Sequence, residues 1–406
     1  MIVSTKLRLS VMIFLQYFTL GATVPIFSLY LTRNLLFSGT QAGTIFSMSA
    51  VAAFVSPFVG AFIADRLISA TRLYALCHLI AGVLMALLSL QRQFELFLFI
   101  YLIYMLSFVP THALSNAIAF HHLPDSQHSF GGIRMWGTIG WIAVAWVFGF
   151  FWLQTEDAAV AGRFADALRL SAISSVLLGL YALTLPVQRI ESNRPRRIIP
   201  VESFRVMISR SVLVLSFISF LISFINRFYY FGTGPFLRQI GFRESVIMPA
   251  MSLGQVPEVF AMALLGLLLK HYGLKRVIAM GIFMELLRFS SFAIGQPKLL
   301  VLAGICFHGL AFTFFFTTAL ICLDGYCNES SRAGAHQLFA IITSGFASFC
   351  GSLVSGKIMD VFTITENGIV DFRAFWVVPA GLSLFALVIL VLFFHEKKKI
   401  EEKNRI

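Results

Sequence analysis

Apolar stretches long enough to cross a lipid bilayer recur along the whole chain. A membrane-spanning helix needs about 20 mostly apolar residues. Twelve stretches of about this length, separated by short loops, lie at residues 9–31, 40–64, 73–90, 96–120, 132–153, 168–186, 212–237, 245–269, 277–295, 299–323, 334–358 and 375–394. The sequence therefore predicts an all-α membrane protein with twelve transmembrane helices.

Composition and charge agree with a membrane protein. Hydrophobic residues make up 58% of the chain and charged residues only 12%, which excludes an ordinary soluble domain. The net charge of +12 would suggest a nucleic-acid partner in a soluble protein, but here the basic residues lie mainly in short loops. The side that contains both termini carries 19 Lys and Arg, against 8 on the other side. We therefore expect no nucleic-acid partner and cytoplasmic termini.

The loops divide the chain into two halves of six predicted helices each. We expect an N-terminal bundle at 1–186, a basic cytoplasmic linker at 187–211, a C-terminal bundle at 212–394 and a cytoplasmic tail at 395–406. The linker and tail are too short for a catalytic or signalling module. The chain also lacks the usual nucleophile and metalloprotease motifs, so we expect neither an enzyme nor a cofactor.

Glu258 is an acidic residue near the centre of the predicted eighth span. A carboxylate at this depth costs about 2.5 to 3.5 kcal/mol, so it needs a partner, a water-filled cavity or a bound proton. Gln255 shares its helical face, and Pro257 removes one backbone donor at the same level. The pattern favours a polar functional site, and the alternative is a structural ion pair with Arg134 or Arg227.

Two loops in corresponding positions of the halves resemble each other. Residues 61–66 read A-F-I-A-D-R, and residues 266–276 read G-L-L-L-K-H-Y-G-L-K-R. Both are similar to the loop signature G-x-L-a-D-R-x-G-R-R of the major facilitator superfamily. This resemblance implies the major facilitator fold, in which two pseudo-symmetric six-helix bundles face each other, and it implies a role in conformational gating for Asp65 and Arg66.

A closer resemblance lies in residues 134–141, R-M-W-G-T-I-G-W, and residues 251–258, M-S-L-G-Q-V-P-E. Together these segments resemble the nucleoside:proton symporter family of that superfamily. The resemblance implies a transporter of the bacterial inner membrane that imports nucleosides with protons by alternating access. The residues that it places at the substrate site are Arg134, Thr138, Trp141, Asn226, Tyr229, Gln255 and Glu258. We expect His308 and Phe312 of the tenth predicted helix at the same site.

The chemistry of these residues suits a nucleoside, which is neutral and carries a flat base and a sugar with several hydroxyls. The aromatic members Trp141, Tyr229 and Phe312 can stack on the base. Amide and carboxylate groups can bind the sugar or the base edge. Two alternatives stay open: Arg134 can act at the cytoplasmic entrance of its helix instead, and the aromatics can simply pack against other helices or lipid.

The tenth predicted helix departs from the family pattern. Thr313 stands where the family has an intramembrane aspartate, and His308 stands where it has a tyrosine. We therefore expect proton coupling through Glu258, with His308 recruited as an alternative, or no coupling at all. Glu285 and Arg288, three residues apart, are expected to form a structural pair.

The sequence is also compatible with functions other than nucleoside symport. A symporter or facilitator for a sugar or another small polar solute would have the same fold, and a non-transporting membrane scaffold would belong to a different class. A metal site is the less favoured interpretation of a group of residues in the loop before the fifth helix, namely His121, His122, Asp125 and His128. We expect the protein to act as a monomer in the lipid bilayer.

Overall fold

The computed structural model describes residues 2–66, 68–123, 126–153, 160–186, 200–364 and 368–396. In these ranges the chain is almost entirely helical, and the predicted all-α class is confirmed. The helices are α1 (Ile2–Thr23), α2 (Phe27–Leu29), α3 (Gly39–Arg66), α4 (Ala70–Leu88), α5 (Phe94–His122), α6 (Ser126–Val147), α7 (Val160–Ala182), α8 (Val201–Met207), α9 (Arg210–Gln239), α10 (Glu244–Ser252), α11 (Gln255–Ile294), α12 (Lys298–Ala311), α13 (Thr318–Tyr326), α14 (Arg332–Ala340), α15 (Ser348–Val361) and α16 (Phe372–Phe393). Strands β1 (Thr363–Ile364) and β2 (Ile369–Val370) pair antiparallel.

Each of the twelve predicted spans coincides with a helical segment. Ten helical stretches in the described ranges are long and apolar enough to cross a membrane. One of these, Glu244–Ile294, contains both the eighth and the ninth predicted spans. The second predicted span is covered by α3. Continuous helix is the expected result, because a bilayer offers the backbone no water to bond with.

Local backbone chemistry separates the eighth span from the ninth. Gly273 has φ +77° and ψ 168°, which interrupts α11 inside the basic loop at 266–276. Only glycine adopts such a conformation readily. The element α11 therefore consists of two helices joined at Gly273, one in the eighth span and one in the ninth.

Wide π-helical turns interrupt four of the spans in the described ranges. They lie at Tyr30–Asn34, Phe148–Trp152, Phe312–Thr317 and Ile341–Ala347. Such turns are rare in proteins, and those that occur often lie at functional sites. The third one contains both Phe312 and Thr313, the part of the tenth span that departs from the family pattern.

The chain divides into two compact units. The first comprises Met1–Pro195 and Thr233–Ser252, and the second comprises Arg196–Gly232 and Leu253–Ile406. Within the first unit, Trp146 on α6 donates its Nε1–H to Ser252 Oγ at 3.0 Å. The bundle boundaries at 1–186 and 212–394 stay a prediction.

Part of the predicted linker forms a short helix in the second unit. Helix α8 packs on α14, where the buried Ser203 donates to the carbonyl of Ser331 at 3.0 Å. A Cβ at Gly334 would lie 2.3 Å from Ser203 Oγ, so a larger residue here would displace the Ser203 side chain. The end of the linker is thereby attached to the loop before the eleventh span.

Candidate functional site

Glycines of the 134–141 motif let α6 approach α1 in the first unit. A Cβ at Gly140 would lie 2.3 Å from the carbonyl oxygen of Phe14, and a Cβ at Gly21 would lie 3.2 Å from Trp141 Cα. The 2.3 Å contact with backbone excludes a larger side chain at Gly140, and the contact at Gly21 is tight. The packing fixes where the polar residues of the motif lie relative to α1.

Arg134 lies on α6, beside Tyr17 of α1. Its guanidinium carbon is 4.2 Å from the centroid of the Tyr17 ring, which is a cation–π contact. A Cβ at Gly137 would come within 2.7 Å of Tyr17 Cδ2 and 2.8 Å of Arg134 Nη1. Arg134 is partly buried, as are Thr138 and Trp141 on the same helix. The first unit thus holds the three motif residues on one helix, with the Arg134 charge held against an aromatic face.

A polar network next to this motif escaped the sequence analysis. Gln16 is fully buried on α1, and its side chain bonds to Tyr74 of α4 and to Thr111 and His112 of α5. These residues are 58 to 96 positions apart in the chain, so no local pattern reveals them.

In the second unit, Glu258 lies in the first turn of a helix. Pro257 has no N–H to donate to the carbonyl of Leu253, which instead accepts from Val256 N at 3.2 Å. The helix is broken at this point, and α11 begins at Gln255. The break therefore places Glu258 in the first turn of α11, inside the eighth span.

Helix α12 packs tightly on this break. A Cβ at Gly309 would lie 2.0 Å from the carbonyl oxygen of Gly254 and 2.7 Å from Glu258 N. In the wide turn that follows α12, Thr313 donates from Oγ1 to the carbonyl oxygen of Glu258 at 3.4 Å. Thr313 thus lies next to the Glu258 backbone.

His308 is the centre of a cluster of charged and aromatic residues, which we call the His308 cluster: Tyr229, Tyr230, Glu285, Arg288 and His308. All of them are buried except Tyr230, which is partly buried. Tyr229 stacks on the imidazole with centroids 4.4 Å apart, and Tyr230 Oη is 3.4 Å from Nε2. Arg288 bonds to His308 Nδ1 and pairs with Glu285. The predicted contact between Glu285 and Arg288 is confirmed, but the pair also holds His308.

Hydrogen-bond chemistry fixes the form of the His308 ring. A guanidinium can only donate, so Nδ1 must accept and the ring proton lies on Nε2, facing Tyr230. A second ring proton would put an N–H against the Arg288 donor. The cluster therefore holds His308 as a neutral donor.

The remaining predicted residues differ in exposure. Asn226 is partly buried on α9, and its Oδ1 is buried with no hydrogen-bond partner among the described residues. An orphaned buried acceptor calls for a donor from elsewhere. Phe312 is 37% exposed, whereas Tyr229 is buried in the His308 cluster. Tyr229 is thus positioned to support His308, and Phe312 is the more accessible ring.

Two predicted groups lie partly outside the described residues. Asp65 and Arg66 end α3, but their side chains lie outside the described part of the structure. In the described residues no group of His, Cys, Asp or Glu could hold a metal ion, and of the four residues considered for one, Asp125 and the side chain of His128 lie outside the description.

Comparison with known proteins decides the family. The profile of a family described as "Nucleoside H+ symporter" matches residues 3–399, nearly the whole chain. The chain belongs to this nucleoside H+ symporter family. It is therefore a multi-pass membrane protein of a transporter family, and the predicted family resemblance is confirmed.

Relatives of this symporter are similar over almost their full length. A putative nucleoside transporter, YegT of Escherichia coli K12, is 31% identical over 97% of this chain and 94% of its own. The xanthosine permease of the same organism is 28% identical over 98% of this chain and 99% of its own. The crystal structure of the nucleoside transporter NupG has a TM-score of 0.86 at 26% identity, covering 97% of this chain and 100% of NupG. The major facilitator fold predicted for the symporter is thereby confirmed.

Proposed function

We propose that this protein imports nucleosides together with protons across the bacterial inner membrane by alternating access. The observation that carries the proposal is the match of nearly the whole chain to a family whose description names both solutes. Similar proteins described as a xanthosine permease and as the nucleoside permease NupG support the same substrate class. The basic residues of the loops support cytoplasmic termini.

Nucleoside binding is assigned to polar groups in each unit. In the first unit, Arg134 and Thr138 supply hydrogen-bond donors, with Trp141 as a stacking face. In the second unit, Asn226 offers its buried orphan oxygen to a substrate N–H or O–H, and Gln255 offers both a donor and an acceptor. These groups match the hydroxyls and base edges of a nucleoside, which carries no charge of its own.

Phe312 and the His308 cluster complete the assignment in the second unit. The exposed part of Phe312 gives a second stacking face. His308, held by Arg288 and stacked on Tyr229, positions Tyr230 by donating to its hydroxyl. The Tyr230 hydroxyl can then donate its own proton to an acceptor on the substrate. The His308 cluster therefore orients a hydrogen-bond donor and does not itself carry the transported proton.

Proton coupling is assigned to Glu258. It lies in the first turn of a helix inside an apolar span, where protonation removes the cost of a buried charge. A substrate that binds beside Glu258 changes its surroundings, so substrate binding and proton binding can be linked. His308 is the less suitable carrier because Arg288 already occupies its Nδ1.

Gating is assigned to Asp65 and Arg66, at the end of α3 and in the loop that resembles the superfamily signature. A monomer satisfies this scheme, because one chain carries every residue to which a role is assigned.

The test is uptake of labelled nucleosides and a labelled sugar by purified protein in liposomes, with and without an inward proton gradient. We expect nucleosides, and not the sugar, to accumulate above equilibrium only with the gradient. Nucleoside uptake that is the same with and without the gradient would indicate a facilitator. That outcome is compatible with Thr313, which stands where the family has an intramembrane aspartate. Sugar uptake alone would favour the other solute class, and a folded protein with no flux would favour a scaffold.

A further inference from the structure

The buried amide of Gln16 has a fixed orientation. Thr111 donates its hydroxyl proton to the carbonyl of Phe108 at 2.6 Å, so its oxygen is left as an acceptor. Gln16 Nε2 lies 3.3 Å from that oxygen and donates to it, while Gln16 Oε1 accepts from Tyr74 Oη at 3.3 Å. Turning the amide over would set two acceptors, Oε1 and Thr111 Oγ1, against each other. The Gln16 NH2 group therefore faces α5.

The second N–H of that amide fixes the proton on His112. Gln16 Nε2 lies 3.2 Å from His112 Nδ1. Because the amide nitrogen can only donate, Nδ1 must accept, and a neutral imidazole then carries its proton on Nε2. Protonating Nδ1 as well would oppose two N–H groups. His112 is thus held as a neutral ring with one outward N–H donor.

This donor lies beside the Arg134 motif. The His112 and Tyr17 rings meet edge to face with centroids 5.9 Å apart, and the Arg134 guanidinium covers the Tyr17 ring at 4.2 Å. His112 is only partly buried, and its Nε2 has no protein partner among the described residues. A polar ring with buried Gln16 on one side and Tyr17 on the other belongs to the polar interior of the unit and not to a lipid-facing surface.

We propose that His112 is a specificity-determining residue that donates from Nε2–H to a carbonyl oxygen of the nucleobase, and that Gln16 is the positioning residue that fixes this donor. The inference rests on the proposed transport of nucleosides. A fixed N–H donor can donate to a carbonyl oxygen. An amino group at the same position is disfavoured, because two donors would then face each other. A site with such a donor discriminates between bases that differ only there.

Two pairs of nucleosides exchange these groups, together with the proton on the adjacent ring nitrogen, which only the carbonyl member carries. Inosine carries a carbonyl oxygen where adenosine carries an amino group, and uridine and cytidine differ in the same way. The quantity to measure is the dissociation constant of each nucleoside for the purified full-length protein, expressed as the amino-to-carbonyl ratio within each pair.

The variants are His112→Phe, Gln16→Leu and the control His122→Phe. His122 lies on the same helix, and its ring bonds only to the carbonyl of Ile118 among the described residues. We expect His112→Phe to lower the ratio about two- to tenfold, mainly by weakening the carbonyl member. Gln16→Leu should lower it in the same direction because His112 can then exchange its proton between nitrogens. His122→Phe should leave it unchanged.

The outcomes separate the two claims. If all four nucleosides bind and the ratios in His112→Phe and Gln16→Leu equal those of the unmodified protein, the role of His112 is refuted while nucleoside transport stands. If the unmodified protein binds none of the four nucleosides, both the proposed function and this inference fail. If both variants lose affinity equally for all four nucleosides and the ratios stay unchanged, the Gln16 network supports the fold of the site but does not discriminate between bases, and the role of His112 is refuted.

Discussion

Gly309 is the position where one added methyl group should damage the site most. A Cβ there would lie 2.0 Å from the carbonyl oxygen of Gly254, about 1 Å closer than real Cβ contacts allow, and 2.7 Å from Glu258 N. Both obstacles are backbone atoms at the start of α11, so no side chain can rotate away. The Gly309→Ala variant must therefore push α12 and the first turn of α11 apart.

Two opposing energies, helix propensity and overpacking, decide how Gly309→Ala changes stability. Alanine gains about 1 kcal/mol in helix propensity over glycine, while overpacking a close contact costs about 1 to 3 kcal/mol and sometimes more. Because the contact is with backbone atoms, which cannot rotate away, the overpacking cost lies in the upper part of its range. This cost exceeds the gain in helix propensity. We expect a net loss of about 1 to 2 kcal/mol in stability. A displacement of about 1 Å also exceeds the roughly 0.5 Å within which a binding site must be held.

The assay for Gly309→Ala is thermal unfolding of purified protein together with nucleoside binding. The matched control is Gly381→Ala on α16, where a Cβ would meet nothing within 4 Å. The control should be as stable as the unmodified protein or more so, with unchanged binding. Equal stability and equal binding in the two variants would refute the packing argument at Glu258.

Three further changes have defined outcomes. Gln255→Ala should weaken nucleoside binding by about 1 to 3 kcal/mol in calorimetry, because it leaves buried partners unsatisfied. Arg288→Met should destabilise the protein by about 3 to 5 kcal/mol in chemical unfolding by leaving Glu285 buried without its counter-charge, and adding Glu285→Leu should recover much of the loss. Reporter fusions at Arg197 and Lys399 should be active only in their cytoplasmic form.

Each of these expectations has a contradicting result. Unchanged affinity in Gln255→Ala would remove this residue from the site. If the variant with both Arg288→Met and Glu285→Leu is no more stable than Arg288→Met alone, the contribution of Arg288 to stability does not come from its pairing with Glu285. Periplasmic reporter activity at either fusion point would overturn the predicted topology.

Hydropathy predicted the helices well because the bilayer leaves the backbone few alternatives. All twelve predicted spans coincide with helical segments, and the i, i+3 spacing of Glu285 and Arg288 sufficed to predict their contact. The motif residues 134–141 and 251–258 led to the correct family. These features depend on local pattern and resemblance alone.

Features that depend on packing between distant segments were missed. The spacing of Glu285 and Arg288 gave no sign that His308 of another helix completes the cluster. The bond from Gln16 to His112 joins residues 96 positions apart. The wide turn at Phe312–Thr317 was also missed, since hydropathy does not distinguish a wide turn from regular helix.

The most direct test of the account is Glu258→Gln in liposomes, since glutamine keeps the size and hydrogen bonding of Glu258 but cannot release a proton. We predict that nucleoside accumulation driven by a proton gradient is lost, while exchange of labelled for unlabelled nucleoside is at least partly retained. Gradient-driven accumulation that survives in Glu258→Gln and disappears in His308→Ala would contradict the account and move the proton site to His308.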